Sequence, residues 1–298
     1  MAVNTSGLKV QASAVTQEQF LLGSVISKDG TTIGYRQFGH GPGIVIVHGS
    51  MSSGYNHLQL AQALSDTFTV YLVDRRGRGL SGPYRQDHSV QTDVEDVDAV
   101  LTKTGAHNIF AVSVGATICL EAALTLPAIH KLAIYEPLLF PDSARPTAMI
   151  ARFDQEMAQG KVAAALTTAT QGAQLASPLM NAMPHWLLTF MTNKMMGWEP
   201  SGEYVSFKDL APTLHYEGQV IADMSGRQER FKDVQAEVLL LGGSQSSAFL
   251  KHSIDRVAKI LPRAKRIEFP GLNHSSSWNT DVRGKPEPIA HALRRFFA

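Results

Sequence analysis

The chain has 298 residues, of which 44% are hydrophobic, and its 27 Lys and Arg against 26 Asp and Glu leave a formal net charge of +1. That length suits one large core with a sizeable insertion, and a balanced charge without long basic or acidic runs argues against nucleic acid or an anionic membrane as partner. The single cysteine, Cys119, cannot form an internal disulfide, and MAVNTSGLKV lacks the apolar centre of a secretory signal. No run of about 18 apolar residues is available for a membrane span, so a cytoplasmic protein is expected.

Residues 1–22 are polar and small without a clear period, and they read as an N-terminal extension. Ordered structure is expected from Gly23, where SVISKDGTTIGYRQFG predicts a hairpin because Asp29-Gly30 is a turn dipeptide between two β-rich runs. GIVIVHG then predicts a fully buried strand. Beyond it the pattern predicts a helix over 58–64, a strand over 69–73, a helix over 90–102, a strand over 108–112, a helix over 114–126 and a strand over 132–135. It resumes with a strand at 238–241, a helix at 248–260, a strand at 266–269 and a last helix at 289–296. Continuous apolar strands alternating with amphipathic helices indicate an α/β fold, a mainly parallel sheet with helices on both faces.

Residues 138–225 break this alternation with helix-like segments and no convincing strand, and they hold eight of the ten methionines together with Trp186 and Trp198. They are expected to form a helical cap over the carboxyl edge of the sheet, inserted in a core domain made of residues 23–137 and 226–298. A Met-rich helix is more often core than cleft, but a cap must pack on the sheet and also face the site, so the two readings coexist.

In open α/β sheets the reactive loops lie at the carboxyl ends of the strands. Ala111-Val112-Ser113-Val114-Gly115 joins a strand to a helix in the context that G-x-S-x-G requires, with alanine in place of the first glycine. A serine at such a junction is otherwise a helix N-cap. His274 stands in PGLNHSSSW after the last strand, where a base serving a mid-chain serine would come. His48-Gly49 opens a turn in which the Ser50 N–H, together with that of Val114, could stabilise an oxyanion. His48 itself reads as structural. Met51, Met195, Met196 and Trp198 are the candidate substrate-lining residues.

These features, with the hairpin, VDRRGRGLSG after the fourth strand and a helical cap after the sixth, resemble the α/β-hydrolase family from Gly23 onward. The resemblance implies Ser113 as nucleophile, His274 as base, and Ser50 and Val114 as the oxyanion hole. It also leaves the acid in an uncommon place. The position after the seventh strand, LLLGGSQSSAF, offers only serines and Gln245, none able to hold a negative charge opposite an imidazolium. Glu136, closing the sixth strand in AIYEPLL, is the candidate acid, a location that some family members, haloalkane dehalogenases among them, use. It could instead cap the strand or pair with an arginine, and Asp223 and Asp255 are weaker candidates.

Gly77-Arg78-Gly79-Leu80-Ser81-Gly82 satisfies G-x-G-x-x-G, but GPYRQDHS after it is turn-rich, whereas a dinucleotide site needs a helix there. No H-E-x-x-H and no cysteine pair is present to hold zinc. No cofactor and no metal is therefore expected. A serine nucleophile implies acyl transfer on a carboxylic ester or lactone, and the Met and aromatic content of the cap implies an apolar small-molecule substrate. Carbon-carbon bond hydrolysis, a cyclase or lyase of secondary metabolism, and a ligand receptor with vestigial turnover would use the same groups. A homodimer is compatible with the sequence.

Overall fold

The computed structural model describes residues 20–175, 180, 182–197 and 202–298. Its strands are β1 (Leu21–Ile26), β2 (Thr32–Phe38), β3 (Gly43–Val47), β4 (Thr69–Val73), β5 (Asn108–Val112), β6 (Lys131–Tyr135), β7 (Glu237–Gly243) and β8 (Lys265–Phe269). They form one sheet in the order β1-β2-β4-β3-β5-β6-β7-β8. The hairpin β1-β2 and the pair β2-β4 are antiparallel, and the remaining pairs are parallel. The α/β arrangement expected from the alternation is the one observed. At the hairpin, Asp29 Oδ1 accepts the Thr31 N–H at 2.9 Å and Gly30 adopts φ +88°, the turn chemistry its dipeptide announces.

Helices α1 (Leu58–Leu64), α2 (Val90–Thr104) and α3 (Val114–Thr125) connect the earlier strands. After β6 come α4 (Ala144–Ala158), α5 (Val162–Gly172), α6 (His185–Met195), α7 (Phe207–Leu210) and α8 (Thr213–Met224), and then α9 (Ala248–Ile260) and α10 (Pro286–Phe297) return to the sheet. The central strands β3, β5 and β6 are almost fully buried because both their faces are covered, whereas the edge strands β1 and β8 are largely exposed. Val45 and Val47 pack with Val97 of α2, Ile118 of α3 and Ile254 of α9, whereas Ile44 and Ile46 pack with Leu60 of α1 and Leu293 of α10.

The insertion between β6 and β7 is helical, with no strand among its described residues. Its methionines take three places: Met224 on α8 is fully buried and joins the core with Val220 and Ile221, Met149 on α4 and Met195 on α6 line the cavity over the sheet edge, and Met191 on α6 is exposed. The chain ahead of residue 20, and with it most of the expected N-terminal extension, lies outside the described residues, as does Trp198. Among the described residues no helix is long and apolar enough to cross a membrane.

Candidate active site

The turn from β5 into α3 is carried by Ser113 itself, at φ 57° and ψ −123°. For a residue with a Cβ this region costs of order 1–3 kcal/mol, so it persists only where neighbours over-determine it. Here the Ser113 N–H donates to the Tyr135 carbonyl at 2.9 Å and its carbonyl accepts the Leu138 N–H at 3.4 Å, tying the elbow to the end of β6. Close backbone approach explains the flanking glycines. A methyl group on Gly115 would stand 2.5 Å from the His48 carbonyl oxygen, and one on Gly49 would stand 2.8 Å from Ser113 Cβ. Ala111, where the motif commonly has glycine, is fully buried and packs within the core cluster, so its methyl is accommodated.

His274, on the loop after β8, donates from Nδ1 to Glu136 Oε2 at 2.7 Å. Glu136 is fully buried at φ 49°, and its own N–H donates to the Leu241 carbonyl at 3.0 Å. Its Oε1 accepts the Gly243 N–H at 2.7 Å. Gly243 ends β7, so the backbone at the position that usually supplies the acid here supports a carboxylate reaching across from β6. The histidine loop is anchored in turn by the Tyr135 hydroxyl, which donates to the Asn273 carbonyl at 2.7 Å. Asp255 pairs instead with Arg266 at 2.6 Å, and Asp223 is exposed on α8.

Ser113 is only 3% exposed and faces a cavity of about 780 Å³ between the carboxyl edge of the sheet and the insertion. On the sheet side the wall includes Ser50, Met51, Gln245, Ser246 and His274, and on the insertion side Met149, Phe153, Leu166, Leu188 and Met195. Met196 is half-buried at the end of α6 and is not among the lining residues. Val114, fully buried, is the first residue of α3, so its N–H has no acceptor within the helix.

The glycine-rich run 77–82 folds around Asp74, whose carboxylate accepts the N–H groups of Gly54 at 2.7 Å and Leu80 at 2.9 Å and pairs with buried Arg36 at 3.0 Å. The next helix starts only at Val90. His48 is fully buried, donates from Nδ1 to the Gly49 carbonyl at 2.8 Å, and accepts the Arg75 N–H at Nε2 at 3.1 Å. Burial, aided by the charges of Arg78 and Arg75, holds its pKa well below the usual imidazole range, so it stays neutral.

Sequence reasoning passed over the group behind this turn. Glu217, on α8 of the insertion, is fully buried and accepts Arg75 Nη1 at 2.7 Å and Arg78 Nη2 at 2.9 Å on its Oε1. Its signal was present as a carboxylate on the buried face of α8, beside Val220, Ile221 and Met224. An acid on a buried helical face needs a partner.

The sheet order, the strained elbow and the helical insertion define a hydrolase architecture. The alpha/beta hydrolase fold model matches residues 42–281, and the chain belongs to that family. Over 96 residues it is 35% identical to a pimeloyl-[acyl-carrier protein] methyl ester esterase of Stenotrophomonas maltophilia (strain K279a), a stretch covering 32% of this chain and 36% of that protein. The chain thus spans little more than a third of the length of that curated relative. An alpha/beta hydrolase from Sphaerobacter thermophilus DSM 20745 superposes with a TM-score of 0.73 at 28% identity, covering 93% of this chain and 100% of that one. A thermophilic esterase from Thermogutta terrifontis superposes at TM-score 0.70 over 94% and 98% of the two chains, and at 14% identity it shares the fold.

Proposed function

We propose that the chain is a serine hydrolase that cleaves a carboxylic ester or lactone of an apolar small molecule through an acyl-enzyme. The observation that carries this reading is that Ser113 and His274 face one largely apolar cavity, with His274 hydrogen-bonded behind it to the buried Glu136. With Nδ1–H committed to Glu136, His274 keeps Nε2 free as a base. Ser113 Oγ attacks the carbonyl carbon as its proton passes to Nε2, and the Ser50 and Val114 N–H groups receive the oxyanion. The imidazolium then protonates the departing alkoxide. Water, deprotonated by the same nitrogen, attacks the acyl-enzyme and returns Ser113 with release of the acid.

The cavity favours a neutral acyl group. Its described lining includes Met149, Phe153, Leu166 and Leu188, contains no Lys or Arg, and has Glu217 as its one carboxylate, so an anionic substituent would meet no counter-ion. The partial relative whose name specifies a methyl ester adds weight to ester over carbon-carbon chemistry.

The test uses purified protein with a fluorophosphonate probe and a panel of esters, lactones and β-diketones. Wild type should be labelled at Ser113 and turn over esters or lactones, while Ser113→Ala should fold and be inert. Turnover confined to diketones would move the reading to carbon-carbon hydrolysis, and full activity in Ser113→Ala would overturn it. Because no step uses a metal, EDTA and exhaustive dialysis should leave the rate unchanged. A loss restored by a divalent ion would contradict that scheme.

A further inference from the structure

With Glu136 reaching His274 from the end of β6, the loop after β7 supplies no member of the proposed triad, yet its Gln245 and Ser247 line the cavity. Asn273, Ser275 and Trp278, from the loop that holds His274, line it too. The two loops are bound into one unit. The Gln245 N–H donates to the Leu272 carbonyl at 2.8 Å, the Gly271 N–H to Ser244 Oγ at 2.8 Å, and the Ser244 N–H to the Phe269 carbonyl at 2.9 Å. Asn273 Oδ1 accepts the Ser275 N–H and hydroxyl at 3.1 Å each and the Ser276 hydroxyl at 3.2 Å, which fixes the orientation of the amide. Among the described residues, Asn273 Nδ2 and the exposed Gln245 amide have no hydrogen-bond partner. The Ser247 oxygen accepts the Leu250 N–H at 3.4 Å, and its own proton has no acceptor among the described residues. This part of the wall thus holds donors and acceptors in a fixed frame without using them internally. The insertion supplies the apolar part, with Met149, Phe153, Leu166 and Leu188.

The two parts of the wall suit the two halves of an ester. His274 Nε2 must deliver its proton to the leaving oxygen, so the alcohol lies against the loops around His274 while the acyl chain runs from Ser113 toward the insertion. We infer that the loops after β7 and β8 form an alcohol site for a neutral polyhydric group, glycerol or a sugar, so that the preferred substrate joins an apolar acid to a polyol. Gln245 offers both a donor and an acceptor, Asn273 two amide hydrogens and Ser247 a hydroxyl, which together match vicinal hydroxyls. Half-buried Trp278 adds a flat apolar face for the C–H side of such an alcohol. The lining residues of these two loops include no Lys, Arg, Asp or Glu, so a phosphorylated alcohol would meet no counter-ion. The inference rests on the acyl-transfer reading and specifies its alcohol half.

The experiment measures kcat/KM of the full chain for 1-hexanoylglycerol, 6-O-hexanoylglucose and propyl hexanoate, with p-nitrophenyl hexanoate as reference. All of them give the same hexanoyl-enzyme, so differences arise in acylation, while the alcohol is still bound. In that step Ser113 Oγ bonds to the carbonyl carbon, the bond from that carbon to the alcohol oxygen breaks, and the serine proton passes through His274 to the alcohol. A hydrogen bond between neutral groups is worth roughly two- to tenfold, so a polyol ester should exceed propyl hexanoate by at least about tenfold. Whichever polyol is favoured identifies the alcohol. Gln245→Leu, at an exposed side chain, and Ser247→Ala should each lower the ratio of polyol to propyl ester by about threefold or more. A second readout needs no polyol ester. With p-nitrophenyl hexanoate as acyl donor, glycerol should capture the acyl-enzyme in competition with water better than propanol does at equal concentration. Its hydroxyl proton passes to His274 and then to Ser113 as the new ester forms, and Gln245→Leu should reduce the advantage. Equal kcat/KM for the glycerol, glucose and propyl esters, or a preference unaltered by both substitutions, would overturn the inference and leave the hydrolase reading standing. Failure to cleave even p-nitrophenyl hexanoate would refute the hydrolase reading and the alcohol site with it.

Discussion

At the scale of single residues, the question with the largest consequence is what orients His274. Glu136 Oε2 is its hydrogen-bond partner at 2.7 Å, with Oε1 held by the Gly243 N–H. Glu136→Gln keeps the size and removes the charge, so kcat should fall by about ten-thousand-fold, or about 5.5 kcal/mol, with KM little changed. A folded variant within about tenfold of wild type would mean that another group orients the imidazole. Gln245 and Ser246 line the same cavity from the loop after β7. Adding Gln245→Asp or Ser246→Asp to Glu136→Gln should therefore restore a measurable part of the rate. The pairing of Glu136 with His274 was legible because GSQSS offers no acid where one is usually found. The Glu217 cluster was not, since Arg75 and Glu217 are separated by 142 residues and no local pattern joins them. What the stripe on α8 contains is a charge that must be paired, without the identity of its partner.

At the scale of elements, the central strands β3, β5 and β6 were readable because both their faces are buried, which makes them nearly continuous apolar runs. Helices α2, α9 and α10 were readable from their single apolar stripe, whereas α3 is apolar and buried nearly all round. The insertion was harder, because methionine fills a core and lines a cavity equally well, and its spacing along a helix does not separate the two. Met224 is core, Met149 lines the cavity and Met191 faces solvent. Along α5 and its end, Leu166, Ala169 and Ala173 line the cavity from one helical face. Ala173→Trp should accordingly shorten the accessible acyl site. Its kcat/KM for p-nitrophenyl octanoate should drop by at least about tenfold while that for p-nitrophenyl acetate stays within a few-fold. Thermal melting checks that the larger side chain has not simply overpacked the cap. An unchanged ratio between the two esters in a folded variant would show that α5 does not wall the acyl site.

At the scale of the whole molecule, the fold encloses ionisable groups whose protonation differs between folded and unfolded chains, and acid stability follows from them. His57 is fully buried, donates from Nδ1 to the Ser277 carbonyl at 3.0 Å, and has no partner at Nε2. Burial lowers its pKa from 6.5 to about 4, and His48 is held well below 6.5 by burial and the two arginines. In the unfolded chain both titrate near 6.5. Between about pH 6.5 and 4 the unfolded state therefore binds more protons than the folded one, so stability is complete above this window and declines as pH falls through it. His57 should cost roughly 2 kcal/mol between pH 7 and pH 5, and His48 adds to the loss in the same direction. Glu217 and Asp93, both lowered by their arginine partners against burial, extend the loss into the carboxylate range, while Asp96, raised by burial, opposes it there. The measurement is the urea midpoint from pH 8 to pH 5. Wild type should weaken steadily below pH 7, and His57→Leu, whatever its stability at pH 8, should lose a measurable part of that slope, leaving His48 and the less buried His185 to be charged on unfolding. A midpoint that is flat between pH 7 and pH 5, or an unaltered slope in His57→Leu, would mean that His57 takes up its proton inside the folded chain.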